Sequence, residues 1–160
     1  MQKIDKLLSL FSFSNELGEP IIFTPSQRQI VNCILNLGID DKRFVQIETP
    51  TRFGKSASVA AAILMRCVNK EQWAIVAGTS EKAQIIMDYF INFALENPIS
   101  RELLKNQVAL DKLKQERSKR TLTFSSGFEI RVFSADSHNK QAAGNAVMGF
   151  GAPYVILDEA

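Results

Sequence analysis

The stretch Glu48-Thr49-Pro50-Thr51-Arg52-Phe53-Gly54-Lys55-Ser56 constrains this chain more than any other. An apolar, β-prone run, Phe44-Val45-Gln46-Ile47, precedes it and a long apolar run from Ala57 to Val68 follows, so the expected order is strand, tight loop, helix. A loop in that setting curls successive backbone N–H groups round a phosphate while the next helix presents its positive end. The backbone comes closest where there is no side chain, which Gly54 provides. Lys55 is then placed to reach the outer phosphates, and the Ser56 hydroxyl to sit on the Mg²⁺ that bridges them. The full pattern G-x-x-x-x-G-K-[ST] asks for glycine where this chain has Thr49, so the match is partial. An ordinary strand-to-helix turn is the alternative.

At 160 residues the chain has the size of one ordinary domain, able to bury a core. A hydrophobic share of 46% and a charged share of 22% are those of a soluble globular protein. The net charge of +2 neither demands nor excludes nucleic acid, because clustering of charge matters there more than its sum. Cys33 and Cys67 sit among apolar residues and form no disulfide framework, so they read as buried thiols in a reducing compartment. Leu7 to Phe13 is too short and too broken by serines for a signal peptide, and no run approaches the roughly 20 apolar residues of a membrane span. The expected location is the cytoplasm, with no membrane partner.

Residues 1–20 are expected to form an amphipathic helix, with Ile4, Leu7, Leu8 and Phe11 on one face, and a turn-rich linker. An α/β domain is expected over 21–160. Thr24 or Ser26 can cap the next helix, which carries Ile30, Cys33 and Ile34 on one face. Gln27, in its first turn, has an amide able to donate to and accept from one edge of adenine; a solvent-facing glutamine is the alternative. A helix from Lys55 to Asn69, apolar nearly all round, must be covered on most sides. Trp73 to Ala77 reads as a strand buried on both faces, as in a parallel sheet flanked by helices. Ser80 and Ser100 are candidate caps of two further helices, separated by Pro98. The basic run Lys112, Lys114, Arg117, Lys119 and Arg120 is either a solvated face or a contact for a nucleic-acid backbone. Leu122 to Val132 alternates round Ser125-Ser126-Gly127 as a β-hairpin. His138 has no neighbouring ligand-type residues and receives no metal or catalytic role.

Tyr154-Val155-Ile156-Leu157 is a buried strand that delivers Asp158 and Glu159 at its C-terminal end, the edge where open α/β sheets bind ligands. Paired with Gly54-Lys55-Ser56, this doublet is the expected second half of a nucleotide-hydrolysing site. Asp158 would hold Mg²⁺ and Glu159 would orient the attacking water.

Thr51 to Ser56, the Ile75-Val76-Ala77-Gly78-Thr79 segment leading into Glu81-Lys82-Ala83-Gln84, the hairpin ending Val132-Phe133-Ser134-Ala135, and Gly149-Phe150-Gly151-Ala152 through Asp158-Glu159-Ala160 together resemble the ATPase portion of a phage terminase large subunit. The resemblance covers residues 23 to 160 and rests on motif order. It implies a RecA-like P-loop NTPase fold with a mostly parallel sheet flanked by helices. It also implies ATP and Mg²⁺ as cofactors, held by Thr51, Arg52, Phe53, Gly54, Lys55 and Ser56 of the Walker A segment, with Asp158 of the Walker B segment on the metal and Glu159 as the catalytic glutamate. Gln27 matches the family's adenine-reading glutamine. Arg52 is similar to an arginine that many terminases carry in this loop, but stands one place nearer Gly54. The implied partners are double-stranded DNA, a portal protein, a small terminase subunit and further copies of the chain in a ring.

Thr24-Pro25-x-Gln27, Pro50-Thr51-x-x-Gly54-Lys55-Ser56 and Asp158-Glu159-Ala160 are also similar to motifs of superfamily 2 helicases, which share the ATP chemistry. A non-catalytic nucleotide-binding module is the alternative from another class. In the terminase family a further strand lies between the phosphate-loop strand and the acidic strand. Its absence here leads to the expectation of a sheet incomplete at its C-terminal end and of a fragment weak in activity.

Overall fold

The computed structural model describes residues 3–39, 44–50, 54–113, 115, 120–134 and 150–158. In chain order these form helices α1 (Lys3–Leu10), α2 (Pro25–Leu35) and α3 (Lys55–Leu64), strand β1 (Gln72–Ala77), helices α4 (Ser80–Glu96), α5 (Pro98–Leu104) and α6 (Leu110–Leu113), and strands β2 (Thr121–Thr123), β3 (Glu129–Ser134) and β4 (Tyr154–Asp158). The fold is α/β.

Local chemistry sets the helix starts. Thr24, not Ser26, caps α2: its hydroxyl accepts the Gln27 N–H, and the Gln27 side chain accepts the Thr24 N–H, a reciprocal capping box. Two expected caps fall elsewhere. Thr79 rather than Ser80 caps α4, accepting the Lys82 N–H, because the extended residue before the first turn is the one whose hydroxyl faces the free N–H groups. Ser100 lies inside α5, buried, and donates back to the Ala94 and Asn97 carbonyls, while Asn97 occupies the cap position and Pro98 the first turn. Helix α3 ends at Leu64, several residues before the expected Asn69, and a series of turns follows.

The sheet has the order β2-β3-β1-β4, with β3, β1 and β4 parallel and β2 antiparallel to β3. The expected hairpin is present, closed by Gly127 at φ 89°. The parallel register aligns Ala77 with Ser134 on one side and with Asp158 on the other, so the three strands end in one row. The run Phe44 to Ile47, expected as a strand, joins no ladder, and Phe44 is 81% exposed. Both sides of β1 are taken by β3 and β4, and the outer edge of β4 has no ladder partner among the described residues. A β-prone run without a partner for its N–H and C=O groups remains extended chain.

One face of the sheet, with Trp73, Ile75, Ile130 and Val132, is buried in the main core. Phe90 of α4 meets Phe124 and Phe128 of the hairpin there, with ring centroids 6.0 and 6.2 Å away. β1 is buried on both faces as expected, but β4 is not: Val155 and Leu157, on the opposite face, are 43% and 71% exposed. Helix α3 is buried from Ser58 to Leu64 between α2 and α4, and its three consecutive alanines permit that close approach. The N-terminal segment belongs to the same core. Phe13 packs edge-on against Phe23 and Phe93, and the buried Asn97 amide exchanges two hydrogen bonds with the Ser12 backbone.

Candidate functional site

The loop-to-helix junction that opens α3 stands at the row where the parallel strands end. Gly54 is the residue before the helix and has φ 80° and ψ 23°, a left-handed conformation that costs an L side chain about 1 kcal/mol or more. A second restriction is steric. A Cβ on Gly54 would lie 2.6 Å from Gln27 Nε2, so the glutamine amide occupies the space a side chain would need. The capping box fixes that amide, since Gln27 Oε1 accepts the Thr24 N–H at 3.0 Å. Gln27 therefore ties the start of α2 to the turn that starts α3. The oxygen that would accept from a base is already engaged by the cap.

Lys55 is the first residue of α3 and Asp158 the last of β4, and the fold brings them together: Nζ lies 3.4 Å from Oδ1. The pair is partly shielded, the side chains being 36% and 14% exposed. An ion pair of that length and exposure contributes on the order of 1 kcal/mol or less, too little to be a reason of stability for placing it there. Ser56 follows in the same turn, half-buried. Thr49, at the place where the usual pattern has glycine, carries a buried hydroxyl with no hydrogen-bond partner among the described residues.

Ser58 was not singled out from the sequence. It is fully buried, and its hydroxyl donates to the Gly54 carbonyl at 2.9 Å, which also accepts the Ser58 N–H at 3.1 Å. The bond pins the turn from one helical turn downstream, and the available signal was a serine four residues after the glycine in an otherwise apolar helix. Of the expected site residues, the fold gathers Gln27, Gly54, Lys55 and Asp158, with Ser56 beside them; Thr51, Arg52, Phe53 and Glu159 lie outside the described residues.

Chemically, this is a helix N-terminus with its free N–H groups, a lysine, a small hydroxyl and one carboxylate. The first two suit a phosphate. The last two suit a hard cation that keeps several waters and takes further oxygens from the phosphates, as Mg²⁺ does, and no cluster of three or more metal-ligand side chains exists among the described residues to suggest another metal. The cysteines stand apart from this chemistry. Burial pushes the Cys67 thiol up to about 12, so it stays protonated and inert, as expected of a core thiol, while Cys33 is half-buried. Among the described residues no helix is long and apolar enough to cross a membrane.

No protein-family model and no curated protein sequence matches the chain. Among solved structures it is similar to the crystal structure of the HK97 bacteriophage large terminase, with a TM-score of 0.65 and 13% identity. The match covers 100% of this chain and 38% of that protein. The chain thus has a terminase-like fold and spans under half of that terminase's length.

Proposed function

We propose that the chain binds ATP with Mg²⁺ at the Gly54-Lys55-Ser56 turn and is the ATPase part of a terminase-type motor that moves double-stranded DNA. The observation that carries this is the meeting of Lys55 and Asp158, distant in sequence, at the row where the parallel strands end. The likeness of the fold to a phage large terminase supports the DNA-packaging reading over the helicase one.

In this reading the N–H groups at the start of α3 and the Lys55 ammonium hold the phosphates. Ser56 and Asp158 would hold the metal, which when bound would screen the phosphate charge. Glu159, next after the metal carboxylate, orients and polarises the attacking water. Thr51, Arg52 and Phe53 would complete the loop, and Arg52 is the residue that would answer the charge developing on the transferred phosphate. Gln27 abuts Gly54 and would be the candidate to read the adenine edge. A ring of copies on a portal protein, with a small terminase subunit, in the cytoplasm of a host cell, is the setting that the terminase reading supplies.

The test is equilibrium binding of a fluorescent ATP analogue with Mg²⁺ to the wild type and to Lys55→Ala, followed by ATP turnover of the wild type and of Glu159→Gln. Binding that Lys55→Ala reduces by at least about tenfold supports the site, the scale expected when a charged hydrogen-bonding partner is lost. Equal binding by both proteins refutes it. Glu159→Gln should bind as the wild type does and turn over ATP more slowly.

A further inference from the structure

We infer that the Lys55–Asp158 pair is a self-occupied site: each group stands in for the ligand of the other, so that phosphate and divalent cation must enter together. The inference rests on the nucleotide reading above and goes beyond it to how binding is controlled. Lys55 Nζ lies 3.4 Å from Asp158 Oδ1, and Asp158, 14% exposed, is the less hydrated partner.

A triphosphate arriving alone would draw away the one cation that pairs with that carboxylate among the described residues and leave it beside a polyanion. Desolvated charge and like-charge repulsion both oppose this step. Divalent cation arriving alone would leave Lys55 facing a dication from the first turn of α3, whose own N–H groups are already positive. When both arrive, Lys55 exchanges its carboxylate for phosphate and Asp158 exchanges its ammonium for metal. Neither charge is orphaned. Such an exchange makes the two ligands cooperative, and the coupling must be equal in both directions.

Gln27 and Ser58 sharpen the effect because they hold the turn from outside the pair. The Gln27 amide abuts Gly54 and the Ser58 hydroxyl bonds its carbonyl, so the lysine can change partner without the backbone having to rearrange.

Two measurements on wild type and Asp158→Asn decide the matter. The first is affinity for the ATP analogue in EDTA, and the second is the rate of Lys55 acetylation without any ligand, read by mass spectrometry against the other lysines. Expected in Asp158→Asn are tighter metal-free binding and faster Lys55 acetylation, each by about three- to fivefold, the range for an ion pair of this exposure. Tighter binding with unchanged Lys55 reactivity would mean that only carboxylate–phosphate repulsion had been removed, and overturns the inference. Unchanged metal-free binding overturns it as well, while leaving the nucleotide site intact. A wild type that binds no nucleotide even with Mg²⁺ overturns the functional reading and this inference with it. Asp158→Ser carries the same two measurements if the asparagine variant does not fold.

Discussion

The two ends of the parallel strands use the same kinds of charged residue to opposite effect. At the N-terminal end, Arg66 is buried, its side chain 6% exposed, and Glu71 is 11% exposed. Its guanidinium makes a two-bond fork to Glu71 at 2.9 and 2.7 Å and donates to the Ile34 and Leu37 carbonyls at the end of α2. It also lies against the Trp73 and Tyr154 rings, 5.1 and 4.6 Å from their centroids, and those rings stack on each other. Trp73 Nε1 donates to the same carboxylate. At the C-terminal end, and among the described residues, Lys55 has one carboxylate at 3.4 Å and the Thr49 hydroxyl has no partner. A densely bonded, buried network holds elements together. A sparse and half-exposed one leaves capacity for a ligand, which is why the position of a charge says less about its role than the number of its partners.

The largest effect expected from breaking this contrast is at Arg66. Arg66→Ala leaves the mostly shielded Glu71 carboxylate without its cation and removes a donor from each of the Ile34 and Leu37 carbonyls, and should cost about 3–5 kcal/mol in urea unfolding. A loss below about 1 kcal/mol, the range of exposed pairs, would erase the distinction between the two ends. Next is Gly54→Ala, which combines a positive φ with a Cβ 2.6 Å from Gln27 Nε2 and should cost about 1–2 kcal/mol and weaken nucleotide binding. The double variant Gln27→Ala with Gly54→Ala sharpens the assignment: recovery of part of that loss, measured by the same unfolding curves, identifies the glutamine as the obstacle, and no recovery leaves backbone strain as the whole cause.

Lys55→Ala should change unfolding stability by no more than about 1 kcal/mol, the mirror image of Arg66→Ala, because its ion pair is worth little to the fold. A drop as large as at Arg66 would show that the C-terminal end is structural after all. The smallest effect concerns the thiols. At pH 8 an alkylating reagent should label Cys33 well before Cys67, whose ionisation burial defers to about 12, and equal labelling rates would contradict the burial of Cys67 in the turns that follow α3. The same shift has a sign for stability. The Cys67 contribution is intact below the ordinary thiol value of 9.0 and is lost as pH rises from there towards about 12, since only the unfolded chain can ionise the group in that window.

Several elements were legible from residue order because their causes are local. A hydroxyl cap at Thr24 or Ser26 needs only its place before an apolar period, the hairpin only alternation about Ser125-Ser126-Gly127, and α4 only a 3.6-residue apolar period. The Phe44 to Ile47 run shows the limit. Its composition favours a strand, but a strand exists only where another chain segment supplies hydrogen bonds, and no residue within the run records whether one does. Ser80 and Ser100 fail for a related reason: the helix starts one residue earlier than Ser80 requires and three residues earlier than Ser100 requires, so Thr79 and Asn97 take the cap positions, Asn97 without a side-chain cap bond.

The sequence by itself determined the chemical inventory of the site, a glycine, lysine and hydroxyl in one turn and an acidic doublet after an apolar strand, because covalent order alone places those groups side by side. Only the tertiary structure decided that Lys55 rests on Asp158, that Gln27 fills the space over Gly54, and that Arg66 closes the other end. Each of those contacts joins segments far apart in the chain, and their meeting depends on how α2, α3 and the sheet pack rather than on any local preference.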